Sequence, residues 1–262
     1  MTDELKTEIR EGTLWLTLNR PEAMNSLTPT VLSAINEALD AAAPDPAVRS
    51  VVLTGTGRAF CAGADLKYVR SQTTGGGAAA GSRFLDQVAE TMNRLERYPM
   101  PVIAAVNGLA LAGGLELVLC CDLVIAARSA KLGDAHANYG LLPGGGGSVR
   151  LPRKIGPTRA KYLMFTAEFV PAADLVEAGL VNFVVEDGEL AAAVDGVCQK
   201  IASKSRPGLR AMKQLVDDGL QQPVQTALRL ELLASALHAR SNDQKEGLAA
   251  FEEKRRPVFK DG

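Results

Sequence analysis

Two segments of the 262-residue chain put small residues where a β-branched run gives way to a helical pattern. One is Phe60-Cys61-Ala62-Gly63-Ala64-Asp65-Leu66; the other runs from Asn107-Gly108 to Ala112-Gly113-Gly114-Leu115-Glu116. Small residues let a ligand approach the main chain, and amide N–H groups at a helix start lack partners and carry positive potential. Two such ends meeting at one oxygen would hold a carbonyl as it turns into an enolate, each preorganised donor contributing ~3 kcal/mol. Glycine content alone would sooner be read as two tight turns. Glu116 adds a second indication, because a carboxylate one turn after Gly113 in an apolar helix is costly unless ion-paired or used for proton transfer.

Other chemistries fit less well. Gly144 to Gly147 is followed by Ser148 with no lysine, and Gly55-Thr56-Gly57 lacks the third glycine of a dinucleotide fingerprint. Gly147-Ser148-Val149 does not make the Gly-x-Ser-x-Gly turn of a serine hydrolase. The cysteines at 61, 120, 121 and 198 contain no CxxC, which suits neither a zinc site nor a disulfide framework and implies a reducing compartment. Cys61 has no visible partner base and reads as packing, and two histidines exclude a His-rich metal centre.

The elements that must position these groups alternate in type. Thr13 to Leu18 reads as a strand with one buried face, followed by a helix that Thr28 caps, that starts at Pro29 and that ends before Pro44. Ser50 to Thr54, Val102 to Val106, Leu123 to Ala126 and Val181 to Val185 read as strands. Pro157 to Phe165, Pro171 to Ala178 and Leu190 to Ser203 read as helices, giving a layered α/β core over the first ~200 residues. After Val185 the pattern is helical, and Ser71 to Ser82, rich in Gly and Ala, reads as a mobile loop.

With 29 basic and 30 acidic residues, the net charge of -1 provides no field for nucleic acid or an anionic membrane. Leu109 to Ala127 is the most apolar stretch, but Glu116, Asp122 and Gly113-Gly114 argue for buried protein rather than a membrane span. Met1 to Arg10 lacks the apolar core of a secretory signal, so a cytoplasmic location is expected.

The strings GRAFCAGADLK (57–67), NGLALAGGLELVLCCDLVIAA (107–127) and GLLPGGGGSVRLPRKIG (140–156) resemble the signature segments of the crotonase, or enoyl-CoA hydratase/isomerase, superfamily. LNRPEAMNSL (18–27) and the ending EGLAAFEEKRRPVFKDG extend the likeness over nearly the whole chain. The resemblance implies an α/β, crotonase-like spiral of repeated ββα units over residues 1–200, carrying the acyl-CoA site. Residues 201–262 would form a helical C-terminal region for trimerisation, giving a homotrimer or homohexamer. The ligand is an acyl-CoA; coenzyme A is part of the substrate, and no separate cofactor or metal is implied.

Carried over by position, the resemblance places the oxyanion-hole amides on Ala62 and Gly113. Ala64, Asp65 and Leu66 match the stretch that meets the adenine, Ala23 and Met24 the pantetheine wall, and Lys254 a basic residue approaching the phosphates from another subunit. The family's adenine-covering aromatic falls on Ser235. Glu116 matches the first catalytic glutamate, but the second falls on His136. Histidine titrates near ~6.5 and can give or take a proton at neutral pH, with Asp134 two positions earlier able to orient the ring. Glu116 and His136 are thus the expected catalytic pair of a hydratase or isomerase that passes through an enolate. The alternatives are thioester or carbon–carbon bond hydrolysis using His136, and a non-catalytic acyl-CoA-binding member.

Overall fold

The computed structural model describes residues 3–75 and 77–260, with side chains outside 73–82. Its strands are β1 (Leu5–Arg10), β2 (Thr13–Leu18), β3 (Ser50–Gly55), β4 (Ala59–Cys61), β5 (Val102–Val106), β6 (Leu109–Leu111), β7 (Leu123–Ala127), β8 (Lys131–Gly133), β9 (Val170–Pro171) and β10 (Phe183–Val185). Among the described residues they form a larger sheet in the order β1-β2-β3-β5-β7-β10 and a smaller one in the order β4-β6-β8-β9. From β3 to β8 each turn of the chain lays one strand on the larger sheet, the next on the smaller one, and then a helix. The pairs β3/β4, β5/β6 and β7/β8 repeat this ββα step with parallel neighbours, as the family resemblance implied.

The helices are α1 (Pro29–Ala42), α2 (Leu66–Gly75), α3 (Gly77–Glu96), α4 (Gly113–Leu119), α5 (Gly147–Ile155), α6 (Pro157–Thr166), α7 (Leu190–Ala202), α8 (Arg206–Gly219), α9 (Val224–His238) and α10 (Asn242–Glu252). Helix α1 starts as its sequence dictates: the Thr28 hydroxyl accepts from Val31 N at 3.2 Å, and Val31, Leu32, Ile35, Leu39 and Ala42 face the core.

Several expectations are corrected. Strand β2 is buried almost throughout rather than on one face, because it lies inside a covered, mainly parallel sheet; Thr13 satisfies its hydroxyl on Ser50 at 3.0 Å. Residues 71–75 and 77–82 are helical rather than a loop, the alanines there being strong helix formers, and Gly76 lies outside the described residues. Helix α3 buries Phe84, Val88, Met92 and Leu95 at helical spacing, with Phe84 edge-on to Tyr68 at 5.3 Å between ring centres. Pro171 to Ala178 holds a single 3-10 turn, Ala172–Leu175, and the last strand starts at Phe183.

The apolar stretch from Leu109 divides into β6, α4 and β7 inside the core, and no helix among the described residues is long and apolar enough to cross a membrane. The four cysteines are free and buried. Helices α8 and α9 bury little: Gly208 alone on α8, and no residue on α9.

Candidate active site

Strands β4, β6 and β8 run parallel, Cys61 beside Ala110 after a one-residue shift in β4 and Leu111 beside Gly133, so the segments leaving their C-terminal ends lie side by side. Those segments are Ala62–Asp65, Ala112–Gly113 and Asp134–His136. Close approach is built into the sequence: a Cβ on Gly114 would lie 1.9 Å from Cys61 O, so only glycine lets α4 start against β4.

The Ala62 N–H donates to Met24 O at 3.0 Å, so the expected donor is already used within the fold. Two residues on, the Ala64 N–H has no acceptor among the described residues, nor has the Gly113 N–H at the first position of α4. They are neighbours: a Cβ on Gly113 would sit 3.5 Å from Ala64 N, and one on Gly63 would sit 3.3 Å from Gly113 N. Ala112, at φ 49° and ψ -117°, turns the chain into the helix while its own N–H is held by Gly133 O at 3.0 Å. Met24, Asn25 and Ala135 also have positive φ, and such strain, costing ~1–3 kcal/mol each, persists where the surroundings dictate it.

Glu116, 2% exposed, projects from the first turn of α4. Its Oε1 accepts from the N–H groups of Gly145 and Gly147, both at 2.8 Å. The glycine run is therefore a cradle for a carboxylate. Any Cβ on Gly145 would fall 2.8 Å from Glu116 Oε2, which explains the glycine there. Burial pushes the Glu116 carboxyl above its ordinary value, outweighing the two amides and the His136 charge.

Oε2 of Glu116 lies 4.0 Å from His136 Nε2. The other ring nitrogen, Nδ1, is 3.1 Å from Asp134 Oδ1, so Asp134 orients the ring and leaves Nε2 facing Glu116. Burial favours neutral imidazole, but the hydrogen bond and charge of Asp134 and the charge of Glu116 prevail and raise the His136 pKa. Asp134 is itself buried, and its Oδ2 has no partner among the described residues.

The remaining candidates spread outward. Asp65 binds Arg20 Nη2 at 3.0 Å and caps α2 through Lys67 N and Tyr68 N at 3.0 and 3.2 Å, so its carboxylate is committed to the fold. Leu66 is exposed, Ala23 and Met24 are half-buried, and Met24 Sδ lies 3.4 Å from Arg58 Nη2. Lys254 is exposed beyond the end of α10. The sequence did not disclose that Gly145 and Gly147 hold Glu116, or that the Ala62 N–H is spent within the fold while that of Ala64 has no acceptor among the described residues. The repeated glycines were the available signal for the first; nothing local distinguishes Ala62 from Ala64.

A ββα spiral that gathers two free amides and a buried acid/base pair at adjacent strand ends is the architecture of a crotonase-superfamily enzyme. The enoyl-CoA hydratase/isomerase family matches residues 8–262, and the chain belongs to that family. It is 41% identical over 246 residues to a crotonyl-CoA hydratase of Syntrophomonas wolfei, covering 93% of each chain. A short-chain-enoyl-CoA hydratase of Clostridium acetobutylicum is 37% identical, covering 92% of this chain and 91% of that one. The crystal structure of an enoyl-CoA hydratase from Bacillus anthracis superimposes with a TM-score of 0.94 at 38% identity, covering 99% of this chain and 100% of the other.

Proposed function

We propose that the chain hydrates a short-chain 2-enoyl-CoA, with the thioester oxygen held by the N–H groups of Ala64 and Gly113 as it becomes an enolate. Water adds its oxygen to Cβ and gives a proton to Glu116 Oε2. His136, protonated on Nε2, delivers a proton to Cα as the enolate collapses, and proton return from Glu116 to His136 restores both groups. The observation that carries this reading is the division of labour on Glu116, one oxygen fixed on two amides and the other 4.0 Å from His136 Nε2. Relatives bearing hydratase names support hydration over isomerisation, hydrolysis or binding without catalysis.

Ala23 and Met24 would line the pantetheine path, and Ala64, Asp65 and Leu66 would meet the adenine through the main chain. Lys254 would reach the phosphates of a neighbouring subunit's ligand in a trimer or dimer of trimers built through residues 201–262. The chemistry uses only groups of this chain and calls for no further cofactor. Buried free thiols support a cytoplasmic setting.

The test is loss of enoyl-thioester absorbance with crotonyl-CoA. Glu116→Gln is expected to lower kcat by ~100-fold or more while keeping affinity for butyryl-CoA within a few fold. Its melting temperature should be equal or higher, since an amide oxygen still accepts both glycine N–H groups without burying a charge. Near-normal turnover would remove Glu116 from the reaction.

A further inference from the structure

The run Gly144–Gly147 has no side chains with which to fix itself, yet two of its amides converge on one oxygen of Glu116. What fixes it is Arg150, on α5. Its Nη1 donates to Gly145 O at 2.7 Å. Its Nε and Nη2 form a fork on Glu96, 2.9 Å from Oε1 and 2.7 Å from Oε2, and Nη2 also reaches Asn93 Oδ1 at 2.8 Å. Glu96 and Asn93 belong to α3, so the guanidinium ties the loop to a helix other than the one carrying Glu116. Gly146, at φ 96°, makes room: a Cβ there would fall 2.1 Å from Arg150 Nη1. The Arg150 side chain is 13% exposed, and a bidentate charged pair in that setting is both strong and directional.

We propose that Arg150, clamped by Glu96, is a positioning residue for proton transfer, holding the Gly145 peptide so that the Gly145 and Gly147 amides keep Glu116 aimed at His136 and the substrate. This rests on Glu116 being the acid/base group. Arg150 touches no reacting atom; it acts through the peptide whose carbonyl it binds and whose N–H binds Glu116. Lysine cannot reproduce the arrangement, because one ammonium cannot bind the Gly145 carbonyl and fork onto Glu96 with fixed geometry.

The experiment measures kcat and KM for crotonyl-CoA against pH, and butyryl-CoA affinity, in Arg150→Met, Arg150→Lys, Glu96→Gln and Glu116→Gln. Arg150→Met is expected to lower kcat roughly 10- to 100-fold, the cost of one or two hydrogen bonds to a charged group, with KM and butyryl-CoA affinity within about twofold. The acid limb of its kcat profile moves to higher pH, because donors that favour the carboxylate are displaced. Arg150→Lys and Glu96→Gln shift the limb the same way by less, and they decide the matter if Arg150→Met does not fold. An unmoved acid limb in both milder variants, or lower thermal stability with kcat and pH profile intact, overturns the proposal. If Glu116→Gln is inactive while the Arg150 and Glu96 variants behave as wild type, the positioning role alone fails; an active Glu116→Gln fails the underlying reading.

Discussion

Asp134 is the residue through which the site's proton affinities can be moved without touching either Glu116 or His136. Its charge raises both the Glu116 and the His136 pKa, against ordinary values of 4.5 and 6.5. If Glu116 works ionised and His136 works protonated, activity rises with pH through the first group and falls through the second. The wild-type kcat/KM profile is therefore expected to be bell-shaped, with limbs above 4.5 and above 6.5. Asp134→Asn removes a negative charge that disfavours ionised Glu116 and favours imidazolium, so both limbs should move to lower pH. A profile in which only one limb moves would mean that the two groups do not share Asp134 as the geometry indicates. In the proposed reaction a carboxylate–imidazole pair lets histidine stand at a position where the family resemblance leads one to expect glutamate.

At the scale of elements, the site is made by three parallel strand ends, and the close passage of α4 over β4 is its tightest joint. Gly114→Ala would place a methyl carbon 1.9 Å from Cys61 O, a backbone atom that cannot move aside without disturbing β4. The expected outcome is destabilisation of roughly 3 kcal/mol or more in denaturant unfolding, at the severe end for a single methyl. A variant of wild-type stability would show that the strand–helix joint is loose, and with it the alignment of Ala64 and Gly113. Asn25 braces the approach to β4: its Nδ2 donates to Thr56 O and Ala59 O at 2.9 and 2.7 Å, and its Oδ1 accepts from Arg20 N at 2.8 Å. These bonds fix the turn before β4 in a place where regular pairing cannot.

At the scale of the whole molecule, helices α8 to α10 leave large apolar side chains in water, among them Val216, Leu220, Leu233, Leu237 and Phe251, each more than 60% exposed. Large apolar side chains exposed in this number are what a subunit interface would cover, in keeping with the proposed assembly. The expected outcome is a trimer or hexamer by light scattering, with Leu233→Asp and Leu237→Asp together shifting it towards monomer and weakening CoA-thioester binding if Lys254 acts across the boundary. A monomeric wild-type chain at micromolar concentration would remove the assembly and the proposed role of Lys254 together.

The sequence by itself determined much of the frame. Alternating and β-branched runs located β2, β3, β5 and β7, proline and threonine signals located the start of α1, and an isolated carboxylate in an apolar helix marked Glu116, because these are local consequences of residue type. It did not reveal β1, whose charged residues mask its strand pattern, or the three-residue strands β4, β6 and β8, which are too short to carry a period. Nor could it tell that the Ala62 N–H is spent and the Ala64 N–H is not, assign the glycine run to Glu116, or join Arg150 to Glu96. Those choices depend on which backbone groups are left without partners after distant segments have paired, and that is settled only when the spiral closes.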